Sequence, residues 1–273
     1  MPPPQEGEGA LPDPGYLTVG PMARSVKDLH VALSIMNGPD PLDPNSFPVP
    51  LGNFRKVQLK RLKVALWTES KGAVLTQETQ DTLDNARRAL EKLGVKVKKD
   101  KPPLADRIYD ISQALYAPFF LEEWEAVLAE HGIAKPGPID RDMMEGLGAW
   151  KQPYDHEQVD AFQALLPELK RGLLSFMTNY DAIISPVVTT PAPKHATTFD
   201  DIRRLVFVQL PAYVPAIPSG CVPCGFSNGD ANTKPLPIGV QVIGGQFRED
   251  VVLALMLALE REFGGWKPPP QLA

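Results

Sequence analysis

The sequence predicts an α/β protein with a largely buried sheet covered by helices, and three stretches carry that expectation. Pro235–Gly245, reading PLPIGVQVIGG, is a short apolar run in which Ile238, Val240, Val242 and Ile243 favour extended backbone. Only Gly239 and Gln241 interrupt it, and closure by Gly244-Gly245 suits a strand buried on both faces. Pro218–Phe226 (PSGCVPCGF) is a second short run, framed by glycine and proline and expected to be another core strand. The third stretch, Leu62–Lys98, reads strand, helix, strand at the length of a βαβ unit, so its two strands should be parallel neighbours.

Taken in order, Met1–Pro14 is rich in proline and glycine, and residues 1–19 are expected to form an irregular arm. Ser25 with Asp28 three residues on resembles a capping box. Val26, Leu29, Leu33 and Met36 then share one helical face, and Asn37-Gly38 ends the helix. Asp40–Pro50 is a proline-rich loop. LKVALW at 62–67 is a strand; Thr76 caps a helix striped by Leu83, Ala86, Leu90 and Leu93; Gly94 stops it, and Val95–Lys98 is the next strand.

Ala105–His131 has a wide apolar face with a kink expected at Pro118, and Glu157–Asn179 is helical again. Together they form a helical insert at about 105–179. Asp181–Ser185 (DAIIS) is a brief buried strand leading into a rigid loop, Pro186–His195. Phe199–Gln209 is a further helix, and Asp250–Phe263 a closing amphipathic one. Strands alternating with helices in this way are what place the chain in the α/β class.

Composition narrows function mainly by exclusion. At 273 residues the chain can bury a full core, as one large domain or two small ones. A net charge of −5 offers no electrostatic grip on nucleic acid or anionic membrane, so neither is expected as a partner. The local cluster Lys96, Lys98, Lys99 and Lys101 reads as the solvated end of a strand. No apolar run reaches the ~18 residues of a membrane span, and the start of the chain lacks a charged-then-apolar signal pattern. Two cysteines build no disulfide scaffold, so the expected setting is reducing and cytoplasmic.

The chemistry-bearing residues do not assemble into a site. Cys221-Val222-Pro223-Cys224 has the C-x-x-C spacing, but zinc needs about four ligands and no second pair is near. A redox pair would stand at a helix N-terminus, whereas this one lies in extended sequence and reads as two small core residues. His30, His131, His156 and His195 are scattered, and Glu122-Glu123 and Asp200-Asp201 read as helix-surface or helix-start charge. No phosphate-cradling glycine loop and no G-x-S-x-G elbow occurs; Pro218-Ser219-Gly220 reads as a turn. No catalytic residue, metal site or cofactor is assigned.

Three blocks nevertheless resemble the amidase signature family. Gly20-Pro21-Met22-Ala23-Arg24-Ser25-Val26-Lys27-Asp28-Leu29 is similar to its GP-x-ARSV-x-DL segment, and Tyr180–Pro186 to its YDA-x-x-x-P segment. Leu210-Pro211-Ala212, Val222–Phe226 and Leu236–Gly244 resemble its PA…VPCG…LPIGVQ-x-IG ending. The resemblance implies a large mixed sheet flanked by helices. It also implies hydrolysis of carboxylic amides through an acyl-serine, with no metal or nucleotide. It puts the segment before VPCG near the acyl channel, which makes Ile217, Ser219 and Cys221 candidate pocket-lining residues for a small amide substrate.

In that family a lysine, two serines and a Gly-Gly-Ser-Ser loop precede the GPMARSV block. Here nineteen residues precede Gly20, and none is lysine or serine. Lys27 and Ser25 are not promoted as substitutes. The expectation is therefore the truncated, C-terminal portion of an amidase-like domain over 20–273, inactive alone and in that sense a pseudoenzyme. Its exposed sheet should need a partner chain or self-association. The alternatives are a non-catalytic binding protein that keeps half the fold, and a thiol redox protein using Cys221 and Cys224.

Overall fold

The computed structural model describes residues 20–40, 47–108, 110–111, 126–133, 137, 156–192, 207, 210–214, 216–229 and 234–268. Among these residues five strands form one mixed sheet: β1 (Lys63–Leu66), β2 (Lys96–Lys99), β3 (Ala182–Pro186), β4 (Ser219–Phe226) and β5 (Pro237–Gly244), in the order β2-β1-β3-β5-β4. Among the described residues four long helices accompany them: α1 (Val26–Met36), α2 (Gln77–Lys92), α3 (His156–Phe176) and α4 (Glu249–Phe263).

The βαβ expectation is met. Thr76 accepts a hydrogen bond from Thr79 N and opens α2, Gly94 adopts φ 85° just beyond its end, and β2 returns parallel to β1 with Lys63 opposite Lys96. The buried stripe of α2 is Thr79, Thr82, Leu83, Ala86, Ala89 and Leu90, while Leu93 is exposed beyond the last turn. β3 joins the other side of β1 in parallel, with Ala182 opposite Val64. Lys63 N donates to Asp181 Oδ2 at 2.8 Å, and Asp181 N to the Lys63 carbonyl at 2.8 Å, locking that register.

The chain direction then reverses. β5 runs antiparallel to β3, with Ile184 opposite Val242, and β4 antiparallel to β5. As expected, PLPIGVQVIGG gives a central strand buried along most of its length. PSGCVPCGF does not give a core strand: β4 is the terminal strand among the described residues, only partly buried, with a bulge between Pro223 and Gly225. Proline lacks an N–H, so it belongs on an edge or at a bulge rather than in a fully paired strand. Ser219 and Gly220 are not a turn either; they are paired with Ile243 and Val242.

Alternation along the strands sorts the two faces. A side chain at Gly244 would meet Val252 Cγ2 at 2.8 Å, and one at Gly220 would run into Met256, so this face looks toward α4. Gly225 faces Thr82 of α2 in the same way. The facing stretch of α4 is buried without a break from Val251 to Met256, so α4 is a core helix more than an amphipathic one. Against α4 lies α1, of whose expected inner face Val26 is buried, Leu29 and Leu33 pack on the core, and Met36 is exposed.

α3 contains Pro167, which leaves one backbone acceptor in the preceding turn without its helical donor. It buries Leu169 and Leu173 and sets Gly172 against Pro103. The kink expected at Pro118 and most of the helix expected at Phe199–Gln209 lie outside the described residues, as do Glu122-Glu123, His195 and Asp200-Asp201.

Candidate functional site

The sheet face turned away from α2 and α4 carries two buried polar residues, Ser185 and Gln241. Ser185 on β3 is opposite Gln241 on β5, and Gln241 is opposite Cys221 on β4. Directly opposed residues point to one side of a sheet, so these three form a row across three strands. Ser185 is fully buried and Gln241 is 5% exposed. Both are satisfied: Gln241 Nε2 donates to the Phe207 carbonyl at 2.8 Å, and Ser185 Oγ to the Pro186 carbonyl at 3.1 Å. Phe207 in turn packs against Trp67 with ring centroids 4.7 Å apart and planes inclined at 58°, and both residues are completely buried.

Of the residues proposed from sequence, Cys221 lies in this row, and Ser219, two positions earlier on the same face, is exposed and opposite Ile243. Ile217 is buried in the turn that enters β4, its N–H donating to the Val214 carbonyl. The three positions are brought to one end of β4, beside the end of β5, where Gly244 N donates to the Pro218 carbonyl. Gln241 and Ser185 were not singled out in advance. The available signal was a glutamine interrupting an apolar strand, because a buried amide requires a partner.

The thiols are quiet. Cys221 exposes part of its surface, but its sulfur lies against Gly239, and burial pushes its pKa up to about 11. Cys224 is buried, with its Sγ 3.5 Å from the Val222 carbonyl oxygen, and burial together with the neighbouring Cys221 pushes its thiol higher still. A nucleophilic or redox pair would need the opposite shift. Among the described residues no three His, Cys, Asp or Glu side chains converge as metal ligands, and no helix is long and apolar enough to cross a membrane.

A second polar cluster lies at the far edge of the sheet. Tyr180 OH donates to Asp100 Oδ2 at 2.5 Å, Lys98 Nζ approaches the same oxygen at 3.4 Å, and Lys101 N donates to Oδ1 at 3.0 Å. The Tyr180 hydroxyl, more than the lysine, holds the Asp100 carboxyl below its usual range; burial and the adjacent carboxylate raise the Tyr180 phenol. The sequence shows its lysines but not the link to Tyr180, which stands 80 positions from Asp100 and meets it only through the sheet.

Comparison with known proteins covers nearly all of this architecture. The family model described as Amidase matches residues 4–253. A glutamyl-tRNA(Gln) amidotransferase subunit from Synechococcus is 26% identical over 279 aligned positions, spanning 93% of this chain and 53% of its own. Among solved structures, a bacterial aryl acylamidase of the amidase signature enzymes superposes with a TM-score of 0.67 at 24% identity, covering 89% of this chain and 52% of that one. A fatty acid amide hydrolase gives 0.72 at 19% identity, covering 90% and 48%. The chain thus spans about half the length of the relatives it matches.

Proposed function

The chain belongs to the amidase family, and on that premise we propose that it forms the later half of an amide-hydrolysing fold. In this reading residues 20–273 are part of one amidase-like domain, with residues 1–19 as an arm and about 105–179 as a helical insert. The chain contributes a wall of the acyl site, lined by Ile217, Ser219 and Cys221, for a small carboxylic amide. The nucleophile and its base are not assigned to any of the 273 residues.

One observation supports this most. The blocks GPMARSV, YDAIIS, VPCG and LPIGVQ are dispersed over more than two hundred positions, yet the first leads into α1 and the others lie at β3, β4 and β5 around a common core. Two free thiols suit a reducing, cytoplasmic setting. The relatives include proteins described as amidotransferase subunits, which agrees with a partner chain, or a second copy, covering the apolar surface that this half leaves open.

The test is direct. Pure 273-residue protein, given aryl anilides and primary fatty amides, should show no hydrolysis above background and no labelling by a fluorophosphonate. A steady-state rate abolished by that serine reagent would sink the proposal.

A further inference from the structure

Beside β2, at the opposite end of the strand order from β4, a cleft of about 580 Å³ opens between β2, the turn at Leu104 and the end of α3. Four strand spacings, roughly 19 Å, separate it from the Cys221 strand, so it is not a lobe of the candidate acyl site. Its walls are apolar: Leu104, Pro103 and the Phe176–Tyr180 ring pair, with centroids 4.8 Å apart. Leu104 adopts φ 60°, ψ 10°, a left-handed conformation unusual for a residue with a branched apolar side chain.

The rim is polar, with two ammonium groups and two carboxylates. Both carboxylates are engaged: Asp100 accepts from Tyr180, Lys98 and Lys101 N, while Asp106 accepts from Lys101 Nζ at 2.5 Å and from Lys71 N at 2.9 Å. These bonds leave a few carboxylate lone pairs unused, and they leave donors on the lysines as well. Each ammonium has three N–H groups and is paired with a single carboxylate, and the Asn179 carboxamide adds two donors and one acceptor. A ligand with acceptors at one end and an apolar body at the other would use the ammonium donors and the walls together.

We propose that this cleft binds small aryl or short-chain monocarboxylates, with the carboxylate at Lys98, Lys101 and Asn179 and the hydrocarbon against Leu104 and Phe176. The inference stands apart from the proposed amide hydrolysis, because it uses none of the same residues. The lysines are largely solvated, with side chains 74% and 45% exposed, so binding is weak and salt-sensitive.

Sodium benzoate and its neutral counterpart benzamide are the probes, titrated into the full chain and followed by side-chain amide and aromatic NMR shifts. Benzoate should saturate in the millimolar range, shifting Asn179 and Tyr180 signals, and benzamide should bind about tenfold or more weakly, a difference of about 1.4 kcal/mol. Lys98→Gln/Lys101→Gln keeps the stems and neutral donors but removes the charge; it should weaken benzoate binding about tenfold while leaving benzamide unchanged. Equal binding of the two probes, no saturable shift with benzoate, or an unaffected double variant would each overturn the assignment. Unchanged melting of the double variant confirms that any loss is not unfolding.

Discussion

Gly239 shows how tightly the polar face of the sheet is set. It has no side chain, and the space a Cβ would fill is already taken by Cys221 Sγ on the neighbouring strand, with Val187 Cγ2 at 3.3 Å. Gly239→Ala is therefore an overpacking change, expected to cost about 1–3 kcal/mol in a urea melt. Removing the sulfur should relieve it, so Gly239→Ala/Cys221→Ala should lose less than the sum of the two single changes. Strict additivity would place the strain elsewhere. From the sequence, Gly239 and Gln241 were legible as the two interruptions of an apolar strand. The Gln241 partner was not legible, because Phe207 stands 34 positions upstream and only the fold brings its carbonyl near.

At the scale of elements, α1 is held chiefly by its beginning. Ser25 Oγ accepts from Asp28 N at 3.2 Å, the cap that the sequence suggested, and donates to Asp28 Oδ2 at 2.7 Å. A second clasp was invisible there: Glu260 of α4 accepts from Val26 N at 2.9 Å, across 234 positions, and Arg24 lies over the Trp266 ring at 4.5 Å. First-turn amides have no helical acceptor, so each clasp satisfies a donor that would otherwise depend on water. Ser25→Ala should cost about 1 kcal/mol, and Glu260→Ala should speed amide exchange at Val26 more than in the second half of α1. Unchanged exchange at Val26 would mean that the Glu260 bond does not hold the helix.

Strands were legible as strands but not as neighbours. Hydrophobic pattern reports burial, and β4 and β5 look alike by that measure, yet one is central and the other terminal. The order β3-β5-β4 depends on a reversal of chain direction that no local residue specifies. The candidate site inherits this limit: Cys221 was found by resemblance, and the row it forms with Gln241 and Ser185 exists only through register.

Over the whole molecule, the two outer strands are blunted differently. β2 carries exposed Lys96, Lys98 and Lys99, with Lys99 paired to Glu69, and so presents charge along its edge. β4 carries no charge and relies on Pro223 and its bulge. The lysine cluster thus has a structural explanation as edge protection and as the rim of the cleft beside it. Apolar surface remains open elsewhere: Met22 is 99% exposed, Ile35 80% and Val31 57%, grouped at α1. The isolated chain should therefore self-associate or bind an apolar dye such as ANS. Light scattering that returned a monodisperse monomer, together with a cooperative melt and no dye binding, would contradict this.

The β1–β3 pairing also has a consequence in time. Lys63 and Asp181, which bond across that seam, are 118 positions apart. Closing so long a loop costs about 4 kcal/mol before the pairing returns anything. At ordinary rates of synthesis, β3 follows β1 out of the ribosome after about 6 to 24 s. For roughly the last two thirds of that interval, once Lys99 has followed Lys63, the whole β1–α2–β2 segment is synthesised, and Val64, Ala65 and Leu66 present a bare backbone edge to whatever else is nascent. The passage most exposed to mispairing is thus one that the finished sheet hides completely.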